Sequence, residues 1–267
     1  MRMSFKRIER VTRILAVALF AAACIATASE AQTIATIKSR GKLIVGGKHD
    51  VPKFGFKNTQ TGAIEGFESD IIRLIAKELL GDEKKVEIVH VTASTRLGLL
   101  NNGEIDFIMA TMTVTEQRKR EVDFGPVYFT DALAILASKE GAVKGLKDLN
   151  GKIVAVQKGS TGAVRILERG KEAGIQFRTI ELDNYVLCLQ AVQSGRAAAM
   201  ATDRSILLGY AAQDPRMIVL PDRLSAEPYA AAFRKDAADL RALVSKIFEK
   251  LEKSGDLNKL MAKHGIS

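Results

Sequence analysis

Short apolar runs that alternate with helical patterns are the feature that most restricts the fold of this chain. The first strands are predicted at 43–45, 86–91 and 105–110, and the first helices at 70–80 and 95–101. Runs of this length fit strands, and the 3.6-residue spacing of the apolar positions between them fits amphipathic helices. Repeated strand–helix–strand units predict an α/β fold with largely parallel sheets flanked by helices.

A second series of the same kind begins near Leu146. Its strands are predicted at 152–156, 177–182, 197–202 and 217–220, its helices at 163–170, 185–194 and 204–213, and a further helical segment at 237–264. Two extended crossings, near 130–137 and 221–228, flank this series and act as hinges. An inserted series predicts two lobes with a cleft between them, lobe 1 from 32–133 plus 226–267 and lobe 2 from 134–225. Because ligands of open α/β sheets bind beyond the carboxyl ends of strands, the turns there are expected to face the cleft.

The first 31 residues have the pattern of a secretory signal peptide. Basic residues precede the apolar run 14–26, and small residues that suit cleavage follow it. The run is short for a membrane span, which takes about 20 residues. We therefore expect an exported protein that resides in the periplasm. The alternative is a lipid anchor at Cys24, because Ala21-Ala22-Ala23-Cys24 resembles a lipoprotein box, although Ala21 stands where Leu is usual.

Composition excludes several classes of function. The net charge of +9 is spread along the chain without a long basic block, so nucleic-acid binding is not expected. The three histidines lack metal-ligand spacing, so neither a metal site nor a cofactor is expected. After removal of residues 1–31 the sole cysteine is Cys188, in an apolar segment, where a small buried side chain is the expectation.

The segment 109–118 predicts the end of a buried strand, a hydroxyl-rich turn and the start of a helix. Thr115 is a candidate N-cap, which puts Arg118 at about the third helical position. A cation there is disfavoured by the helix dipole, and an anion docked at the same helix end would reverse that sign. The segment therefore fits a small-anion site such as one for a carboxylate. A capped surface helix with a solvated arginine fits it equally well.

The chain resembles the bacterial extracellular solute-binding proteins of family 3, the periplasmic components of polar amino-acid ABC importers. The resemblance covers residues 38–267. The segments that carry it include Gly66-Phe67-Glu68-Ser69-Asp70, Thr111-Met112-Thr113-Val114-Thr115-Glu116-Gln117-Arg118, Asp123-Phe124-Gly125-Pro126-Val127-Tyr128 and Val156-Gln157-Lys158-Gly159-Ser160-Thr161. The resemblance implies the two-lobed periplasmic-binding-protein fold with two hinge crossings (type II).

Within that family, the chain looks like the aspartate/glutamate-binding branch. The segments Gly47-Lys48-His49-Asp50-Val51-Pro52, Thr92-Ala93-Ser94-Thr95-Arg96 and Asp203-Arg204-Ser205-Ile206-Leu207-Leu208-Gly209-Tyr210 carry this narrower likeness. In glutamine- and basic-ligand relatives an aromatic residue falls near Ala93, and this chain lacks it. Glutamine or asparagine remains the alternative ligand.

The resemblance also implies a role for each site residue. Arg118 would pair with the ligand α-carboxylate, helped by Thr113 and, on closure, by Ser160 and Thr161. Ala110 and Thr111 would lie near the α-ammonium, and Asp203 would pair with it. Lys48 and Arg96 would hold a side-chain carboxylate, and Tyr185 would contact the ligand. Without the resemblance, Asp203, Ser160 and Thr161 are equally explained as helix caps, and Lys48 and Arg96 as surface residues.

Charge counting over these residues favours an acidic ligand. Lys48, Arg96 and Arg118 are cationic and Asp203 is anionic, so an acidic side chain brings the site closer to neutrality than an amide does. Leaving a buried cation unpaired costs on the order of several kcal/mol. The expected function is capture of L-aspartate or L-glutamate by a monomer that delivers it to an inner-membrane permease. The enzymatic alternative is an exported dehydratase for prephenate-like acids, which would need a general acid in the cleft.

Overall fold

The computed structural model describes residues 32–266. Its strands are Leu43–Gly47 (β1), Asp50–Val51 (β2), Gly55–Lys57 (β3), Ile64–Glu65 (β4), Val86–His90 (β5), Phe107–Met109 (β6), Asp123–Ser138 (β7), Ile153–Gln157 (β8), Arg178–Leu182 (β9), Ala199–Asp203 (β10), Met217–Val219 (β11) and Ala226–Phe233 (β12). Its α-helices are Gln32–Arg40 (α1), Phe67–Leu80 (α2), Arg96–Asn101 (α3), Glu116–Lys119 (α4), Thr161–Glu172 (α5), Tyr185–Gln193 (α6), Arg204–Ala211 (α7), Ala238–Lys253 (α8) and Asp256–Lys263 (α9).

Nine strands join edge to edge into a mixed sheet, in the order β5-β1-β6-β12-β7-β10-β8-β9, with β11 also pairing with β7. On one side of β7, β1 runs parallel to both β5 and β6. On the other side, β8 runs parallel to both β9 and β10. These parallel triplets, each with helices as crossovers, are the α/β architecture that the alternating pattern predicts.

The long strand β7 links the two parallel triplets. Its first part pairs antiparallel with β12, in a register that sets Asp131 opposite Glu227. Its last part, from Leu133 onward, pairs antiparallel with β10 and β11. The predicted crossing at 130–137 therefore lies inside one continuous strand, and the crossing at 221–228 runs into β12. The lobe boundaries at 133/134 and 225/226 stay predictions.

The largest apolar cluster extends along both sides of β7, since it also includes Ala155 and Met200. Leu43, Ile71 and Phe107, each fully buried, belong to the part of this cluster around β1, β6 and α2. Ile135, Val154 and Ile166 belong to a second cluster between β7, β8 and α5. Cys188 is buried without a disulfide, as expected for a small apolar side chain, and burial raises the pKa of its thiol to about 12.

Several elements differ from the sequence prediction. Helix α2 begins at Phe67 rather than at residue 70, because Gly66, with φ 138°, ends the preceding segment. The hairpin sheet β2-β3-β4 and the helix α1 were not predicted. Two of these hairpin strands have two residues each and the third has three, too few to show a pattern.

The predicted signal peptide and Cys24 lie outside the described residues. Between residues 32 and 266, no helix has both the length and the apolar character that a membrane span requires.

Candidate ligand-binding site

The turn between β6 and α4 has the conformation that the sequence predicts. The Thr115 hydroxyl accepts a hydrogen bond from the backbone N–H of Arg118 at 3.2 Å and so caps the helix. The Arg118 side chain folds back, and its Nη1 donates to the Thr113 carbonyl at 2.7 Å. Arg118 is 9% exposed, so it is not the solvated surface arginine of the alternative reading.

The residues just before this turn are held in an unusual backbone conformation. Thr111 has a positive φ of 46°, which a β-branched residue rarely adopts. Its backbone N–H donates to Glu68 Oε1 at 2.7 Å, and the neighbouring Ala110 carbonyl accepts from Arg96 Nη1 at 2.9 Å. The Ala110 carbonyl, expected near an ammonium group, thus already has an arginine donor. Strained backbone that its surroundings hold in place is typical of ligand-contacting segments.

The end of β8 brings a second hydroxyl-rich turn against the first. Ser160 caps α5, since its hydroxyl accepts from the Ala163 N–H at 3.2 Å. Thr161 instead lies with its hydroxyl 3.3 Å from that of Thr113, across the cleft. Gly159, at φ 72°, approaches the backbone of Ser94 so closely that a Cβ would lie 3.3 Å from the Ser94 Cα. The two turns are therefore in direct contact.

Asp203 occupies the N-cap position of α7 but does not cap that helix with its side chain. Its Oδ2 accepts from the Tyr229 hydroxyl, and its buried Oδ1 has no hydrogen-bond partner among the described residues. Burial, with the nearby carboxylates of Asp131 and Glu227, raises the pKa of Asp203 well above its usual value. A buried acceptor without a donor is costly, and an ammonium group would supply both donor and charge.

Lys48 is buried and paired. Its Nζ lies 3.2 Å from Asp50 Oδ1, donates to the Val91 carbonyl at 3.2 Å, and lies 5.1 Å from the centre of the Tyr185 ring. Burial lowers the pKa of Lys48, and the Asp50 charge partly offsets that effect. Lys48 is 3% exposed, which excludes the surface alternative, but its charge is matched by an acid that the sequence-based count omitted.

Arg96 is 5% exposed and only partly satisfied. Burial, followed by repulsion from Arg118, lowers the pKa of Arg96 to about 9. Its Nε is buried and has no acceptor among the described residues. The guanidinium therefore retains one donor for an anion or a carbonyl oxygen.

Direct contacts join most of the predicted residues, since Arg96 binds Ala110, Thr113 contacts both Arg118 and Thr161, and Lys48 lies against Tyr185. We name two groups after the ligand parts that the family resemblance leads us to expect there. The backbone-recognition end comprises Thr113, Arg118, Thr161 and Asp203, and the side-chain end comprises Lys48 and Arg96 with the acids beside them, Asp50 and Glu68. Tyr185, 5% exposed, lies against Lys48. Further out, the Tyr210 hydroxyl donates to the Asp50 carbonyl, which joins α7 to β2 across the cleft.

Sequence reasoning missed Asp50 and Glu68 as members of the side-chain end. Asp50 follows Lys48 by two residues in a segment quoted for the family resemblance, and Glu68 stands in another such segment. Because Asp50 follows Lys48 so closely in the chain, an ion pair between them could have been predicted. Glu68 lies 43 positions before the residue whose backbone it binds, so no local pattern indicates that contact.

Comparison with known families settles the class of protein. Residues 43–266 match the family described as bacterial extracellular solute-binding proteins, family 3. The chain belongs to this family. It is therefore a solute-binding protein rather than an enzyme, in line with the names of its relatives.

Relatives of this solute-binding protein carry more than one ligand name. The glutamine-binding protein of Geobacillus stearothermophilus is 44% identical over 79% of either chain. The glutamine-binding protein GlnH of Bacillus subtilis is 38% identical over 88% of this chain and 85% of its own. A glutamate/aspartate import solute-binding protein of Escherichia coli is 26% identical over 93% of this chain and 85% of its own.

A solved structure shares the fold. The solute receptor for L-cysteine of Neisseria gonorrhoeae superposes with a TM-score of 0.81 at 30% identity, over 86% of this solute-binding protein and 92% of the receptor. The two-lobed α/β fold expected from the resemblance is thereby confirmed.

Proposed function

We propose that this solute-binding protein captures an acidic amino acid, L-glutamate or L-aspartate, in the periplasm and delivers it to an inner-membrane ABC permease. The observation that carries the proposal is the grouping of Lys48, Arg96 and Arg118, three buried cations, around one cleft. The charge of Arg118 lowers the pKa of Arg96, the charge of Arg96 lowers the pKa of Lys48, and Arg96 keeps an unmatched donor. An anionic ligand relieves these conditions.

The proposed pose assigns one ligand group to each charged residue. The α-carboxylate pairs with Arg118 and with the hydroxyls of Thr113 and Thr161, whose turns meet across the cleft. The α-ammonium donates to the unpartnered Oδ1 of Asp203. Ala110, Thr111 and Ser160 line the same two turns. The ligand side chain extends toward Lys48 and Arg96, beside Tyr185.

L-Glutamine is the second candidate, and one specific contact favours it. Asp50 Oδ1 forms an ion pair with Lys48 at 3.2 Å, and Asp50 Oδ2 is buried without a hydrogen-bond partner among the described residues. A carboxamide offers a carbonyl to Lys48 and an N–H₂ to Asp50, whereas a carboxylate is repelled by Asp50. The names of the two relatives of higher identity support the same candidate.

Calorimetric titration distinguishes these candidates. The protein is unfolded and refolded to strip any carried ligand, then titrated with Glu, Asp, Gln, Asn, Arg and prephenate. The proposal expects tight binding of Glu or Asp, with the amides at least about 100-fold weaker, which equals about 2.7 kcal/mol. Tighter binding of glutamine would support the second candidate. Preference for arginine or prephenate would contradict both.

A further inference from the structure

Glu68 is a buried carboxyl group directly behind the ligand-contacting turn. It is the second residue of α2 and is 1% exposed. Its Oε1 accepts from the Thr111 N–H and from the Tyr128 hydroxyl. Its Oε2 is buried and has no partner among the described residues. Glu68 thus holds the strained Thr111 backbone with one oxygen and leaves the other unused.

Titratable side chains from several neighbouring elements face Glu68. Lys48 follows β1, Arg96 begins α3, and both attract the Glu68 charge. The hydroxyl of Tyr128 on β7 donates a hydrogen bond to Glu68 and adds no charge of its own. Asp50 on β2 is paired with Lys48. Asp70, on the same helix as Glu68, binds Lys263 at the end of α9 and the adjacent His264. Burial outweighs the attractive neighbours and raises the pKa of Glu68 to about 7.

The charge of the side-chain end therefore depends on one proton. Lys48 and Arg96 are cationic and Asp50 is anionic, so this end carries one positive charge when Glu68 is protonated. It is neutral when Glu68 is ionised. A ligand carboxylate neutralises the positive charge that remains when Glu68 is protonated. An uncharged carboxamide matches the neutral site that remains when Glu68 is ionised. The backbone-recognition end, with Asp131 and Glu227 behind Asp203, faces the same α-groups in either ligand.

We propose that Glu68 is a specificity-determining residue that carries a proton when an acidic side chain occupies the cleft and is ionised when an amide side chain does. The proton comes from the solvent and returns to it on release. This inference rests on the proposed function, since it assumes that the ligand side chain lies against Lys48 and Arg96.

The inference gives the pH dependence a definite sign. Above the pKa of Glu68, glutamate binding draws a proton from the solvent, so its affinity falls as the pH rises. Glutamine binding draws no proton above that pKa and releases one below it. The ratio of the glutamine Kd to the glutamate Kd should therefore fall by up to about 300-fold between pH 6 and pH 8.5, because full linkage of one proton gives about tenfold for each pH unit.

Calorimetry in buffers of low and high ionisation enthalpy at pH 8 counts the protons exchanged on binding. In the natural protein, we expect the binding of glutamate to take up as much as one proton more than the binding of glutamine does. In Glu68→Gln the difference should vanish and the Kd ratio should become independent of pH. Asp70→Asn, which neutralises a carboxylate on the same helix that binds Lys263 and His264 instead of Glu68's partners, is the matched control and should retain the difference.

Each outcome supports or contradicts the inference. Equal proton counts for the two ligands in the natural protein would overturn it, whether or not Glu68→Gln folds. If glutamate alone binds, uptake of a proton that Glu68→Gln abolishes supports it, and a pH-independent affinity contradicts it. If glutamine alone binds, a loss of affinity as the pH falls below the Glu68 pKa supports it, and a constant affinity contradicts it. Binding of neither ligand at any pH contradicts the proposed function itself.

Discussion

The two ends of the cleft are built in different ways. At the backbone-recognition end, Thr113 lies in the turn after β6 and Arg118 lies in α4, which follows that turn. Thr161 is the first residue of the helix after β8, and Asp203 is the last residue of β10. At the side-chain end, Lys48, Asp50, Glu68 and Arg96 all come from one half of the molecule, and acids are set beside bases. The backbone-recognition end thus joins residues from both parallel triplets of strands. The side-chain end places opposite charges together within one of these triplets.

This difference implies that one end of the cleft binds any amino acid and that the other end discriminates between side chains. In the proposed pose, the groups that all amino acids share meet residues from both sides of the cleft, so their binding can stabilise the closed form. The groups that distinguish one ligand from another meet a cluster whose net charge, by the inference above, changes with the protonation of Glu68. Substitutions at the backbone-recognition end should weaken all ligands alike, and substitutions at the side-chain end should change their ratio.

Arg118→Ala should have the largest effect. It removes the partner of the α-carboxylate, and truncating one side of a buried charge pair costs about 2–5 kcal/mol. We expect a loss of at least about 30-fold in affinity for glutamate and glutamine alike, measured by calorimetry. Arg120→Ala is the control, because Arg120 is exposed two residues further on. An unequal loss would place Arg118 at the side-chain end instead.

Asp50→Asn should change the ratio of the two ligands. Removing this negative charge leaves Lys48 uncompensated, so the preference should shift toward glutamate by about tenfold, or 1.4 kcal/mol. Asp70→Asn is the matched control, since Asp70 pairs with Lys263 and His264 outside the cleft. Competition binding with both ligands measures the shift. An unchanged ratio would mean that Asp50 supports only the Lys48 side chain.

Gly159→Ala should have a smaller effect on affinity, again equal for both ligands. An alanine at φ 72° costs about 1 kcal/mol, and its Cβ would press on the Ser94 backbone at 3.3 Å. Gly174→Ala carries the same backbone cost at φ 68° but meets nothing within 4 Å. Both variants should lower the melting temperature, and Gly159→Ala alone should weaken binding, by about threefold to tenfold. Equal affinities for the two variants would show that this contact plays no part in closure.

The backbone-recognition end was the part most accessible to sequence reasoning. The Thr115 cap and the position of Arg118 follow from local patterns, because a helix start is encoded within four residues. The strand–helix alternation likewise predicted the parallel triplets. What the local patterns left out is the length of β7, since its antiparallel pairing with β12 depends on residues about 100 positions away.

The side-chain end was predicted only in part. Lys48 and Arg96 were identified through the family resemblance, but their counter-charges Asp50 and Glu68 were not. Charge balance in a buried site depends on all the groups that the fold brings together, and Glu68 binds the Thr111 backbone from 43 positions earlier in the chain. Ligand preference therefore follows from contacts that a count along the sequence omits.

A crystal structure of the protein with L-glutamate bound tests the account most directly. The account predicts the α-carboxylate on Arg118, the ammonium on Asp203, and the side-chain carboxylate within about 3 Å of Lys48 Nζ or Arg96 Nε. A ligand with its side-chain carboxylate on Arg118, or one that contacts neither Lys48 nor Arg96, would contradict it.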